Sequence, residues 1–209
     1  MTGSAIPVGR FVLRTVLWLP ACFTLWYLSA HYLGAFVGEL AAMLVELFKS
    51  GLVSAVERQG MGLEFVTHLL VHPLPGRTGV LVVEVNPLLY TYGLPLFVAL
   101  MLASRAKISG ILVGAALLLP FQAWGVAFDL LAQLAVRSGV DVSIQAGLMG
   151  WRAEFIALAY QIGSLIFPAL IPVALWVAFN RTRLGATPVA TQDDLAVTHE
   201  PHMTGGAGR

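Results

Sequence analysis

The chain has 209 residues, of which 58% are hydrophobic and 11% charged, with a formal net charge of +1 and a mean hydropathy of +0.82. Soluble domains carry about 25% charged residues, so the composition excludes an ordinary soluble protein and indicates one embedded in a lipid bilayer. The near-neutral balance gives no basic face for nucleic acid, and the single cysteine, Cys22, excludes an internal disulfide and a cysteine-only metal site.

In chain order, residues 1–10 are a short cytoplasmic N-terminus. Arg10 and Arg14 then introduce an apolar run that resembles a signal peptide. The run passes residue 30 without a small-residue cleavage site, so it reads as an uncleaved anchor. A helix needs about 20 apolar residues to cross a hydrocarbon core of about 30 Å. Segments 11–37, 87–104, 108–136 and 155–179 meet that length and predict four transmembrane helices.

Residues 38–86 separate the first two spans. Leu40, Met43, Leu44, Leu47 and Phe48 recur there at helical spacing, with Glu39, Glu46 and Lys49 on the other face. This pattern predicts either an extension of the first span or an amphipathic helix at the membrane interface. Runs 52–58 and 63–69 read as strands around a turn at 59–62, residues 73–76 break the chain, and 79–85 reads as a third strand. Such a cap is too small to bury much core alone and is expected to rest on the bundle or on a partner. Residues 105–107 form a cytoplasmic turn and 137–154 an outer loop. The Thr-, Ala-, Gly- and Pro-rich segment 180–209 reads as a disordered cytoplasmic tail.

The expected fold is an all-α membrane protein: four transmembrane helices with a small strand-containing periplasmic cap between helices 1 and 2. Basic residues flank spans on the cytoplasmic side. Arg10 and Arg14, Arg105 and Lys107, and Arg181 and Arg183 fall on one side if all four segments cross, which puts both termini in the cytoplasm. Pro20, Pro95, Pro120, Pro168 and Pro172 lie inside spans. Neighbouring helices must compensate the backbone groups they free, so the spans are expected to pack together. Gly110 and Gly114 form a close-packing pair in the third span.

Three sets of residues could carry chemistry. Cys22 is the sole thiol, but His31 sits nine residues on, about the opposite helix face, so it reads as a buried structural cysteine. Glu64, His68 and His72 recur every four residues and share a face as helix or strand. They lack a fourth ligand and the order of a zinc motif, so a solvated polar face is the better reading, and no cofactor or metal is expected. Gln122, Asp129 and Gln133 form a polar stripe on the third span, which Gln161 and Ser164 of the fourth could oppose. Hydrogen bonding between helices is the ordinary reading, and a groove for a substrate or partner helix the alternative.

Three segments also resemble a known family: LWLPACFTLWY from Leu17, NPLLYTYGLPLFVALMLA from Asn86, and LPFQAWGVAFDLL from Leu119. They look like the exosortase H-associated membrane proteins, small multispan proteins encoded beside a bacterial exosortase. The resemblance implies a Gram-negative inner-membrane protein working with a membrane-embedded, transpeptidase-like protease that processes C-terminal sorting signals. Exosortases resemble a Cys-Arg-His peptidase. Here no histidine lies between His72 and His199, so that catalytic set does not transfer.

The expected function is therefore a non-enzymatic accessory protein of protein sorting in the cell envelope, docking on the exosortase or its substrates through the cap. The alternatives are an atypical cysteine peptidase using Cys22 and a small transport subunit with its groove at Gln122 and Asp129. The oligomeric state stays open.

Overall fold

The computed structural model describes residues 8–74 and 77–184. Most of the cytoplasmic N-terminus and of the tail expected to be disordered therefore lies outside the described residues.

Helix α1, Val8–Phe48, is continuous through 41 residues, or about 60 Å at 1.5 Å per residue. Of the two readings of residues 38–48, the helix adopts the extension. About twenty residues suffice to cross the hydrocarbon core, so α1 is about twice as long as a crossing needs. Its C-terminal end carries the sheet: β1 (Val53–Gln59), β2 (Gly62–Leu74) and β3 (Arg77–Val85) form an antiparallel meander in the order β1-β2-β3. Gly60, at φ +61°, occupies the first position of the two-residue loop between Gln59 and Gly62, where tight hairpins favour glycine.

Short α2 (Leu88–Thr91) leads into α3 (Gly93–Ala103). Pro95 cannot donate to the carbonyl of Thr91, which accounts for the break at Tyr92. The expected second span is thus a 16-residue apolar stretch, Leu88–Ala103, shorter than the other three. Helix α4 (Ile108–Ala132) ends in a π turn, Gln133–Arg137. The outer loop expected at 137–154 instead folds as α5 (Val140–Ala146) and the start of α6 (Trp151–Gln161). A second π turn, Ile162–Ile166, joins α6 to α7 (Phe167–Leu184). Among the described residues, three helical stretches are long and apolar enough to cross a membrane: Gly9–Phe48, Ile108–Arg137 and Trp151–Arg181.

The helices alternate in direction. At one end Phe11 stacks on Trp176 at 5.0 Å, Trp176 Nε1 donates to Ser104 Oγ at 2.9 Å, and Asn180 Nδ2 approaches Met101 Sδ at 3.7 Å. The start of α1 and the ends of α3 and α7 therefore meet, and they bring Arg10, Arg14, Arg105, Lys107 and Arg181 to one end of the molecule. At the other end Phe48 stacks on Phe155, and both rings lie beside Phe128.

Helix α4 is central, with 44% of its apolar window buried against 6% for α1. Gly125 makes this possible, because a Cβ there would lie 2.3 Å from the Tyr90 ring. Gly114 does the same beneath Phe97, while Gly110 faces Met101.

The cap rests on the bundle. Leu63, Phe65, Val83 and Val85 of the sheet share one buried core with Val37, Ala41 and Val45 of α1 and with Leu130, Leu131 and Leu134. A three-stranded sheet has too little core of its own, and this shared burial supplies it. Gln145 of α5 adds a polar tie, as its side-chain amide donates to Leu70 O at 3.1 Å and accepts from Leu70 N at 3.2 Å.

Candidate functional site

The α4 stripe proves to be the seam between bundle and cap. Asp129 is buried, and Gln133 Nε2 donates both to Asp129 Oδ1 at 3.3 Å and to the Glu84 carbonyl at 3.0 Å. Buried Tyr90 interacts with Asp129 and Tyr160, and the Arg137 guanidinium lies 5.7 Å from the centre of the Tyr160 ring. These contacts tie β3 and α2 to α4.

Gln122, two turns of α4 before Asp129, is buried, and among the described residues neither of its side-chain amide atoms has a hydrogen-bond partner. Gln161 is exposed, and Ser164 Oγ donates to the Gln161 carbonyl at 3.4 Å. Gly163 is what faces α4, with its Cβ position 3.2 Å from Gly125 Cα.

Cys22 is buried in the wall of an apolar groove between α1 and α3, beside Trp18, Trp26 and Pro95. His31 is engaged elsewhere, accepting at Nε2 from Arg58 Nη1 at 3.0 Å. An arginine can only donate, so this bond has the imidazole nitrogen as its acceptor. It ties α1 to β1.

The sheet holds the third set. On β2 the inward residues Leu63, Phe65, Thr67 and Leu69 are buried, while Glu64, Val66, His68 and Leu70 face out. His72 also lies on β2, and its side chain falls outside the described residues. No group of three metal-binding side chains forms among the described residues. The pairing register creates a different set: Glu57 on β1 stands opposite Glu64, and Glu64 opposite Glu84 on β3. Directly opposed residues place their Cβ atoms about 5 Å apart on one face of the sheet, so three carboxylates run in line across it. Glu57 and Glu84 are exposed. The adjacent row is Ala55, Val66 and Val82, and Val82 is 45% exposed.

Beside this face runs a groove of about 510 Å³ between α1 and β1, lined by Ala42, Met43, Leu47 and Val56, with Glu39 and Glu46 on its rim. Glu46 closes one end. Its carboxylate accepts from the amides of Gly51 at 2.8 Å, Leu52 at 3.1 Å and Val53 at 3.2 Å. The Gly51 amide leads, with Val53 next, in holding this projecting carboxyl below its usual range.

Sequence reasoning singled out Glu64 alone of the glutamate row. Glu57 and Glu84 were visible only as charges. A two-residue loop at Gly60 fixes the hairpin register, and that signal would have placed Glu57 opposite Glu64.

The fold and these surfaces define a class: a membrane-embedded helix bundle that displays a small sheet with an acidic row at the end opposite Arg10, Arg14, Arg105, Lys107 and Arg181. The chain belongs to the exosortase H-associated membrane proteins, whose family model matches residues 5–183. Comparison with curated proteins and with solved structures gives no match.

Proposed function

We propose that this protein is a non-enzymatic inner-membrane accessory of an exosortase-type sorting system, docking on the exosortase or its substrates through the cap. The observation that carries the reading is the line of Glu57, Glu64 and Glu84 on the exposed face of the sheet. Three like charges side by side oppose folding, and a basic partner surface would relieve that repulsion. Arg10, Arg14, Arg105, Lys107 and Arg181 flank the helices at the far end, while Lys49, Arg58, Arg77, Arg137 and Arg152 on the cap side are spread through longer connections among acidic residues. By the tendency of basic residues to remain in the cytoplasm, the cap then lies in the periplasm and both termini in the cytoplasm. In this topology Leu88–Ala103 is the fourth crossing, completed by its flanking residues.

The experiment is co-purification with exosortase H in mild detergent, paired with a deletion strain. The reading expects a stable complex and impaired cleavage of sorting signals. Unchanged cleavage and localisation in the deletion strain would overturn it. Reporter fusions after Gly60 and at the C-terminus check the topology, and a cytoplasmic cap would contradict it.

A further inference from the structure

The β1 edge of the sheet is open. Among the described residues only β2 pairs with β1, and the alternation of an antiparallel ladder turns the N–H and C=O of Val56 and Arg58 away from β2. The Val53 amide on this same edge reaches Glu46 of α1, so the edge looks into the groove. Proteins commonly guard such edges with proline or lysine. β1 reads VSAVERQ and has neither, while its one arginine is turned to His31.

Three features therefore coincide on one strand. Unpaired backbone groups point outward, an apolar slot formed by Ala42, Met43 and Leu47 lies along its inner side, and Glu57 begins a line of three carboxylates on its outer side. We propose that the β1 edge accepts an extended segment of a partner polypeptide as a fourth strand, with an apolar side chain in the groove and a lysine or arginine beside Glu57. This rests on the docking reading above and specifies its mode. Main-chain bonds give affinity in such strand addition, and alternate side chains give selectivity.

A second copy of β1 fits poorly. Antiparallel pairing in the sheet plane keeps outer residues with outer residues, and β1 offers only Ala55, Glu57 and Gln59 on that face. None of these supplies a cation opposite Glu57.

The test uses the full chain in zwitterionic phosphatidylcholine nanodiscs, with empty nanodiscs as control. Three labelled peptides are titrated: one alternating valine and lysine, one with glutamate replacing lysine, and the lysine peptide N-methylated at alternate backbone nitrogens. The lysine peptide is expected to bind about tenfold or more tighter than the glutamate one, and N-methylation to remove binding. Arg58→Pro removes an outward N–H without touching the ladder to β2. It is expected to abolish binding while the β2–β3 amides keep their exchange protection, and Glu57→Lys is expected to invert the peptide preference.

Equal affinity for the three peptides overturns the proposal, as does binding that survives both N-methylation and Arg58→Pro. Quenching of a probe at Met43 by lipid-chain quenchers would make lipid the occupant and also overturn it. If exosortase H still co-purifies with the Arg58→Pro and Glu57→Lys proteins, strand addition is wrong and the docking reading stands. If the unmodified chain fails to co-purify while the peptide results hold, the docking reading fails and the edge site stands.

Discussion

Glu64 stands directly opposite Glu84 on the outer face of the sheet, and a Cβ placed at Gly62 would lie 2.9 Å from Glu84 Oε1. The glycine leaves room for the Glu84 carboxylate to lean across it, away from Glu64. The repulsion is eased by side-chain direction while both charges stay at the surface. A sheet selected for stability alone would place a cation at one of these positions.

Glu64→Lys makes that change. It converts the row to alternating signs and is expected to stabilise the cap by about 0.5–1 kcal/mol, read as a higher thermal unfolding midpoint in detergent. The same variant is expected to lose co-purification with exosortase H. Gained stability with undiminished partner capture would remove the row from the docking surface.

Two residues of one helical stripe are expected to behave oppositely. Asp129 interacts with buried Tyr90 and accepts from Gln133, so Asp129→Ala takes an acceptor from both and is expected to destabilise by about 1–3 kcal/mol. Gln122 has no hydrogen-bond partner among the described residues, and Gln122→Leu is expected to be neutral or stabilising by about 1 kcal/mol. Thermal unfolding of both variants, compared in the same detergent, checks the pair. A strongly destabilised Gln122→Leu protein would contradict the assignment.

The interior fit at Gly125 predicts a large response to a small change. Gly125→Ala pushes a methyl group against the Tyr90 ring, and overpacking of this kind costs about 1–3 kcal/mol. Tyr90→Leu in the same chain opens space there and is expected to recover part of the loss. The double-variant cycle of unfolding midpoints measures this coupling.

Glu46 gives a pH dependence. Its carboxyl is held below the usual range by amide bonds led by Gly51. It therefore contributes stability that is fully present above the ordinary carboxylate pKa and is lost as pH falls through the lower folded value. Glu46→Ala is expected to cost about 1 kcal/mol near neutrality, comparable to loss of a helix cap. The gap between this variant and the unmodified chain is expected to close in acid, and a gap that widens there would contradict the sign.

Much of the fold was legible in the sequence. Apolar runs marked the helices that can enter a membrane, and β-branched runs around Gly60 and ahead of Asn86 marked the strands. What the sequence hid depended on contacts between distant segments. Whether residues 38–48 continue α1 was undecided by their spacing, and burial of Ala41 and Val45 beneath the sheet settles it. A helical wheel drawn through Gln161, Ser164 and Pro168 assumes 3.6 residues per turn. The π turn at Ile162–Ile166 breaks that phase, and Gly163 and Tyr160 come to face the neighbours instead. The glutamate row was hidden for the same kind of reason, since Glu84 meets Glu64 only through pairing across twenty residues of chain.

The unbroken run of α1 from the basic end of the bundle to Phe48 also sets a height. No joint separates the part that lies in lipid from the part that carries the sheet, so the cap is held like a flag on a mast. From Glu39 to Phe48 that mast rises about 15 Å at 1.5 Å per residue. Under the docking mode and topology proposed above, a partner has to deliver its segment at this fixed level above the bilayer and in a fixed compass direction around the bundle. One tethered too closely to the lipid would fall short of the groove, whatever its sequence.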